Sequence, residues 1–217
     1  MRILTLAVMA SLFCACKKNN DGPSVQDGVS LLVKDLPGDT SATMSGGGSS
    51  SFKTLYFSFA DSGRIDISEA DKKTTKWDLA FTGPYNSEVY INDKNYQYNP
   101  GYGGTGMGAV IQVDKPYNDV TNAPGDEVFS NTSLNKIGWE SGSSGGWFFY
   151  SLDNHIAVPI KNRTFVLRTA TGKYAKLELL NIYKGNPPVV TDLYWPSPYL
   201  TFRYFVQQDG SRNLKTN

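Results

Sequence analysis

The residue with the widest chemical repertoire in this chain is His155, the only histidine, which lies in the stretch SLDNHIAVPI. Imidazole is the side chain most often used for metal ligation and for proton transfer near neutral pH. His155 is therefore the first candidate for a ligand or an acid–base residue. The alternative is an ordinary polar residue at the surface or in a turn, where a strand begins.

Residues for catalysis are sparse. A zinc hydrolase needs several His or Cys ligands, which one histidine and two cysteines near the N-terminus do not supply. A Ser-His-Asp triad would have to use His155, and the sequence has no nucleophile-elbow pattern. The 20 acidic residues leave open a pair of glycosidase carboxylates. A protein that is not an enzyme is the favoured interpretation.

Two further groups of residues could contact a ligand. Met107 follows the glycine-rich GYGGTG, and its thioether could ligate a metal, although a buried hydrophobe is the more common role. GYGGTG matches a dinucleotide-binding pattern, but the strand-like MGAVIQV follows it instead of a helix, which favours a loop or turn. Tyr194, Trp195 and Tyr199 surround two prolines. They could stack on a flat ligand or close one end of the fold.

The N-terminal segment is expected to direct export. MRILTLAVMASLFCAC has one basic residue, an apolar run and then small residues before a cysteine, which is typical of a secretory signal. The run is too short to span a bilayer as a permanent helix. Residues 1–15 are predicted to be cleaved off, because Ala15 and Cys16 resemble a bacterial lipobox in which the cysteine is lipidated. An ordinary cleaved signal with two incidental cysteines is the alternative.

The composition of the mature chain excludes several classes of protein. Cys16 would be its only cysteine, so neither a disulfide framework nor a thiolate metal site can form. Cleavage removes Arg2 and no acid, so 21 basic and 20 acidic residues become 20 and 20. A net charge near zero argues against nucleic-acid binding, which needs a basic surface. We therefore expect no nucleic-acid partner.

The chain is predicted to consist of a tether and one domain. Residues 16–51 are polar and rich in Gly and Ser, which is typical of a flexible tether. Within them the apolar VSLLVKDL could form a first strand near residues 29–36. Residues 52–217 are predicted to form a single domain, because this length suits one core and no internal repeat is present.

The domain is predicted to be all-β. Alternating apolar residues in FKTLYFSFA, KYAKLELL and YLTFRYFVQ indicate strands with one buried face. In KYAKLELL the apolar set alternates with Tyr174, Lys176 and Glu178. Gly172 separates two such runs and predicts a hairpin. Since no stretch sustains a helical apolar period, the predicted fold is a mainly antiparallel β-sandwich.

Six stretches, taken in order, resemble the HmuY-like family of haem-binding surface lipoproteins from Bacteroidota. They are LYFSFADSGRI, KWDLAF, GTGMGAV, GGWFFYS, NRTFVLRTATGKYAKLELLNIY and YLTFRYFVQ, and they span roughly residues 52–206. The resemblance implies an outer-membrane lipoprotein, held on the cell surface by its lipid anchor. It further implies that the protein takes haem from haemoproteins and passes it to a TonB-dependent outer-membrane receptor.

The resemblance also implies that two axial side chains hold the haem iron, histidines or methionines in different relatives. This chain has no second histidine, so ligation by two of its own histidines is impossible. The options are His155 alone, His155 with Met107, or His155 with a tyrosine, while Tyr194, Trp195 or Tyr199 packs on the macrocycle. The alternative function is an HmuY-like lipoprotein that has lost haem ligation and binds a glycan or another ligand through surface aromatics.

Overall fold

The computed structural model describes residues 28–42, 52–142 and 145–216. The predicted signal segment, the predicted lipidation site Cys16 and most of the predicted tether lie outside these residues. The described strands are β1 Leu31–Pro37, β2 Leu55–Ser58, β3 Gly63–Ile65, β4 Leu79–Thr82, β5 Glu88–Ile91, β6 Ala109–Val113, β7 Gly138–Trp139, β8 Gly146–Tyr150, β9 Ala157–Pro159, β10 Thr164–Arg168, β11 Tyr174–Asn181 and β12 Tyr199–Val206. The described helices are α1 Asp126–Ser130 and the 3-10 turns Asp71–Lys73, Pro84–Asn86 and Tyr117–Asp119.

The strands form three sheets. The largest has the order β1-β12-β11-β10-β6, the second has the order β3-β2-β4-β5, and a small third sheet has the order β7-β8-β9. Every strand pairing in the two larger sheets is antiparallel, whereas β7 pairs with β8 in parallel. The predicted all-β, mainly antiparallel fold is therefore confirmed.

The two larger sheets face each other across one hydrophobic core. The Phe202 ring on β12 lies 5.2 Å from the ring of Phe57 on β2 and 5.4 Å from that of Phe81 on β4. All three side chains are fully buried. Burying each of them stabilises the fold by about 2–3 kcal/mol relative to exposure, before the cost of ordering the chain. The core is thus built by the inward faces that the alternating pattern predicts.

The outward face of the largest sheet differs from the prediction of one buried face per strand. Lys176 and Glu178 on β11 are only 0% and 8% exposed. The segment around the 3-10 turn Tyr117–Asp119 covers this face, and a second apolar cluster fills the space beneath it. This cluster contains Val120, Ala123, Phe129, Val166, Phe205 and Leu214. The alternation identified the core face correctly but could not reveal that another part of the chain covers the other face.

The hairpin predicted at Gly172 is confirmed. β10 and β11 pair antiparallel from Phe165 with Leu177 to Arg168 with Tyr174, and Gly172 turns the chain at φ +85°. L residues rarely adopt this conformation, and glycine adopts it without a steric penalty. We call the end of the sandwich beside this turn the Gly172 end. The end beyond the last residue of β11 is the Tyr183 end.

The strand β1 lies at the edge of the largest sheet and pairs with β12. It falls within the predicted tether, at the place where the sequence allows a first strand. Among the described residues, no helix is long and apolar enough to cross a lipid bilayer.

Candidate ligand-binding site

His155 lies in a tight turn between β8 and β9. Its backbone N–H donates to the Ser151 carbonyl at 2.9 Å, and the Ser151 N–H donates to the Ile156 carbonyl at 3.0 Å. His155 has a φ of 58°. This left-handed conformation costs a non-glycine residue about 1–2 kcal/mol. The two hydrogen bonds and the burial of Ile156 hold the chain in it. Backbone strain of this kind is common where a side chain must point in one direction.

The imidazole of His155 is exposed and held at one nitrogen. Its Nδ1 lies 3.0 Å from the hydroxyl oxygen of Tyr150, the last residue of β8. Nε2 makes no hydrogen bond to any described residue. When a histidine ligates a metal through Nε2, Nδ1 carries the proton, and Nδ1–H donates a hydrogen bond to a neighbouring acceptor. The Tyr150 oxygen is placed to accept that hydrogen bond, so the arrangement fixes the ring and leaves Nε2 available.

Tyr150 connects His155 to a row of aromatic rings. The Tyr150 ring centroid lies 6.0 Å from that of His155 and 6.3 Å from that of Trp139 on β7. Trp139 is 49% exposed. We call Trp139, Tyr150 and His155 the aromatic row. Its rings offer apolar surface next to a metal-ligating nitrogen, which is the general character of a cofactor site.

Two hydrogen bonds attach the small sheet that carries the aromatic row to the rest of the sandwich. The backbone N–H of Ala157 on β9 donates to the hydroxyl oxygen of Tyr183 at 2.9 Å. Burial raises the pKa of Tyr183, so its hydroxyl stays protonated at neutral pH. The indole N–H of Trp147 on β8 donates to the Ser87 carbonyl at 2.7 Å. The small sheet that positions His155 is thereby attached to the Tyr183 end.

Met107 lies at the Gly172 end, far from His155. Its N–H donates to the Ala170 carbonyl at 3.1 Å, and its carbonyl accepts from Nε of Arg168 at 2.8 Å. The eight residues of β11 separate the two ends, a distance of roughly 25 Å at the usual rise per residue. The two axial ligands of one haem iron must lie on either side of the same metal. The structure therefore does not bring His155 and Met107 together as a ligand pair.

The aromatic loop Tyr194–Tyr199 lies at the Tyr183 end. The Trp195 indole N–H donates to the Lys184 carbonyl at 2.9 Å, and the Tyr199 N–H donates to the Ile182 carbonyl at 2.7 Å. Tyr194 is 84% exposed. Within the described part of the chain, no hydrogen bond or ring contact joins any of these three aromatic residues to His155. Trp195 and Tyr199 hold the turn after β11, while Tyr194 projects into solvent.

Sequence reasoning did not identify Tyr150 and Trp139 as partners of His155. The available signal is the strand-like GGWFFYS, which ends four residues before the histidine. A strand followed by a short turn returns the chain beside the strand's last residues, which places His155 next to Tyr150. Trp139 could not be found in this way, because β7 joins the sheet through a parallel pairing.

The donor atoms near His155 suit haem better than a bare metal ion. No group of three or more His, Cys, Asp or Glu side chains in the described ranges could hold a bare metal ion. Haem needs less from the protein, since the porphyrin supplies four ligands and one imidazole suffices for an axial bond. An exposed His155 with Nδ1 held by Tyr150 fits this requirement for one axial position.

Comparison with known proteins places the chain in a family. The model of the HmuY protein family matches residues 50–195, more than half of the 217 residues. No curated protein matches the chain.

Several solved structures are similar at low identity. A protein described as HmuY-like and heme-binding, from Bacteroides vulgatus, is 14% identical with a TM-score of 0.37, and the match covers 81% of this chain and 89% of that one. Apo PinO from Porphyromonas gingivitis is 13% identical with a TM-score of 0.47, covering 82% and 97%. The apo HmuY analog from Tannerella forsythia is 12% identical with a TM-score of 0.38, covering 85% and 98%. On the strength of the family match, this protein belongs to the HmuY family.

Proposed function

We propose that this protein binds haem and is not an enzyme, with His155 as the axial ligand of the iron. The observation that carries the proposal is the exposed imidazole whose Nδ1 lies 3.0 Å from the Tyr150 hydroxyl. Membership of the HmuY family supports haem as the ligand. The bound haem would supply the iron and its four porphyrin nitrogens, and the chain would supply one nitrogen and an apolar surface.

Each residue of the aromatic row has a distinct role in this proposal. His155 would present Nε2 to the iron, while the Tyr150 oxygen accepts a hydrogen bond from Nδ1–H and fixes the plane of the ring. Trp139, half exposed on the other side of Tyr150, offers a face on which the macrocycle can pack. Met107 plays no part, because it lies at the Gly172 end.

The cellular setting belongs to the same proposal. Lipidation at Cys16 would anchor the protein to the outer membrane, facing the cell surface, and the residues before β1 would act as its tether. From there the protein would take haem from haemoproteins and pass it to a TonB-dependent receptor. Supporting this setting are the lipobox-like sequence at Ala15 and Cys16 and the family to which the chain belongs.

A haemin titration tests the proposal. We expect the wild-type protein to give a defined Soret shift and His155→Ala to lose it. Tyr150→Phe keeps the ring and removes only the hydroxyl, so it should weaken binding by about 10- to 100-fold, the usual effect of losing a hydrogen bond to a metal-ligating histidine. Met107→Leu is the matched control and should bind like wild type. A wild-type protein without a Soret shift refutes haem binding, and unchanged binding by His155→Ala refutes His155 as the ligand.

A second candidate function rests on Tyr194. Its ring is 84% exposed, on a loop that Trp195 and Tyr199 hold in place. Exposed aromatic rings stack on sugar faces, so a glycan is the ligand that this residue favours. If haem does not bind, a glycan array probed with wild type and Tyr194→Ala tests this alternative. Equal retention of both proteins on every glycan would exclude it.

A further inference from the structure

A cavity of about 450 Å³ opens at the Gly172 end, away from the aromatic row. It lies between the turn after β2, the β10–β11 turn and the end of β12. Its charged lining consists of four carboxylates and two lysines, namely Asp61, Asp66, Asp71, Asp78, Lys76 and Lys173. The proposed haem site uses none of these residues, so the cavity is separate from that site.

The carboxylate of Asp78 is the most deeply buried charged group of this lining. Asp78 is 8% exposed, and its Oδ2 accepts from the Phe59 N–H at 2.8 Å while its Oδ1 accepts from the Ala170 N–H at 3.3 Å. Each oxygen retains capacity for a further bond. No Lys or Arg of the described ranges forms an ion pair with it. Burial raises the pKa of Asp78, so an arriving cation would favour its charged form.

The two lysines of the lining already have partners. Nζ of Lys76 lies 2.5 Å from a carboxylate oxygen of Asp71, and Nζ of Lys173 lies 2.5 Å from the side-chain oxygen of Gln208. Asp61 and Asp66 form no ion pair with any residue that the structure describes. Gln208 is uncharged, so the Lys173 ammonium keeps its charge and acts on Asp78. With every group ionised, four carboxylates face two ammonium groups, and the lining carries a formal excess of two negative charges.

The lining of the cavity favours an organic cation over a metal ion. In the described part of the chain, no three acidic side chains converge closely enough to hold a metal. Apolar side chains, including Phe59, Ile65 and Val206, form part of the wall and would contact the body of a larger ligand. Such walls stabilise a ligand in proportion to the apolar area that they remove from water.

We propose that this cavity binds a small organic cation, in which an ammonium or guanidinium group on an apolar body pairs with Asp78. The apolar body lies against Phe59 and Val206, while Asp61 and Asp66 attract the cation at the entrance. This site is independent of haem binding and would operate whether or not His155 ligates iron.

Amide NMR of the full chain with benzylammonium as the probe tests this proposal. The N–H groups of Phe59 and Ala170 donate to the Asp78 carboxylate and should report directly on its pairing. We expect saturable shifts of these two amides with benzylammonium, and at least tenfold weaker binding of the uncharged benzyl alcohol. Absence of saturable shifts at millimolar benzylammonium, or equal binding of the two probes, overturns the proposal.

Two variants test the proposal without changing Asp78, because loss of that carboxylate would also remove its hydrogen bonds to Phe59 and Ala170. Asp66→Asn removes one charge at the entrance and should weaken benzylammonium binding roughly fivefold, the effect of one favourable charge interaction near a surface. Ala60→Trp places a bulky ring in the lining at an exposed position and should abolish binding. Both variants should bind haemin with wild-type affinity in the titration described above. Unchanged benzylammonium affinity in Ala60→Trp would show that the cavity is not the site.

Discussion

Stability is expected to increase as the pH rises from 8 to 10, because β11 buries the ammonium of Lys176. Nζ of Lys176 donates to the carbonyls of Tyr117 and Val120 at 3.0 and 3.1 Å and lies 4.3 Å from the centroid of the Tyr117 ring. The Arg203 guanidinium lies 4.3 Å from the centroid of the same ring. Burial, with a smaller contribution from Arg203, lowers the pKa of Lys176 from 10.5 to about 8. The folded chain therefore releases this proton more readily than the unfolded chain.

The sign and size of the effect follow from that pKa difference. Between pH 8 and 10.5 the unfolded chain binds a proton that the folded chain does not, so the free energy of unfolding rises with pH. A full unit of pKa difference is worth about 1.4 kcal/mol, so Lys176 contributes about 2 kcal/mol of additional stability between pH 8 and pH 10. Below pH 8 both states are protonated and the gain disappears. Burial raises the pKa of each of Tyr56, Tyr90 and Tyr117 to about 12, and their protons are released on unfolding from about pH 10. These tyrosines offset part of the gain near pH 10 and reverse the trend above it.

Urea unfolding at pH 7, 8, 9 and 10 measures this dependence. Lys176→Met removes the titrating group, so between pH 8 and 10 its free energy of unfolding should change by about 2 kcal/mol less favourably than that of wild type. Lys94→Met, at an exposed position, is the control and should keep the wild-type slope. The reasoning is refuted if wild type and Lys176→Met show the same pH dependence in this range.

Further predictions concern the stability effects of single substitutions at tightly packed positions. Asn86→Ala should lower the free energy of unfolding by about 3–5 kcal/mol, because the fully buried side chain accepts from the Asp39 N–H and donates to the carbonyls of Lys53 and Phe81. Chemical denaturation measures this loss, with Asn186→Ala as the control because Asn186 is exposed and has a similar φ. Equal losses of unfolding free energy in the two variants would contradict the prediction. Gly146→Ala should cost about 1–3 kcal/mol, because a Cβ there overlaps the backbone of Glu140 and Trp139. A Cβ at Gly63 has room, since the closest atom lies 3.6 Å away, so Gly63→Ala should have a melting temperature near that of wild type in a thermal melt. A comparable loss of stability in Gly146→Ala and Gly63→Ala would count against this explanation.

Much of the fold can be predicted from the sequence because the core faces alternate. The apolar positions of β11 and β12 point into the core as their period of two requires, and Gly172 forms the turn between β10 and β11. The burial of Lys176 could not be predicted, since it depends on a segment more than 50 residues away in sequence. Local patterns indicate which face of a strand is apolar. They carry no information about which distant segment covers the other face.

The candidate site could be predicted only in part. The sequence identifies His155, as the single histidine. It also allows a pairing with Met107, but the two residues lie at opposite ends of the sandwich. The glycines around Met107 serve the packing of its loop, since a Cβ on Gly106 or Gly108 would overlap the backbone of Asn92. Asp78 lies in the stretch KWDLAF, but its hydrogen bonds to two turns could not be predicted, because they form only after the strands have paired.

The single histidine makes one measurement decisive for the central claim. Labelling histidine with ¹⁵N labels His155 alone, and zinc protoporphyrin is a diamagnetic substitute for haem that accepts one axial ligand. We predict that adding it shifts the Nε2 resonance strongly while Nδ1 stays protonated and hydrogen-bonded to Tyr150. If the porphyrin binds and both ring nitrogens keep their free resonances, His155 is not the ligand and the account of this site is wrong.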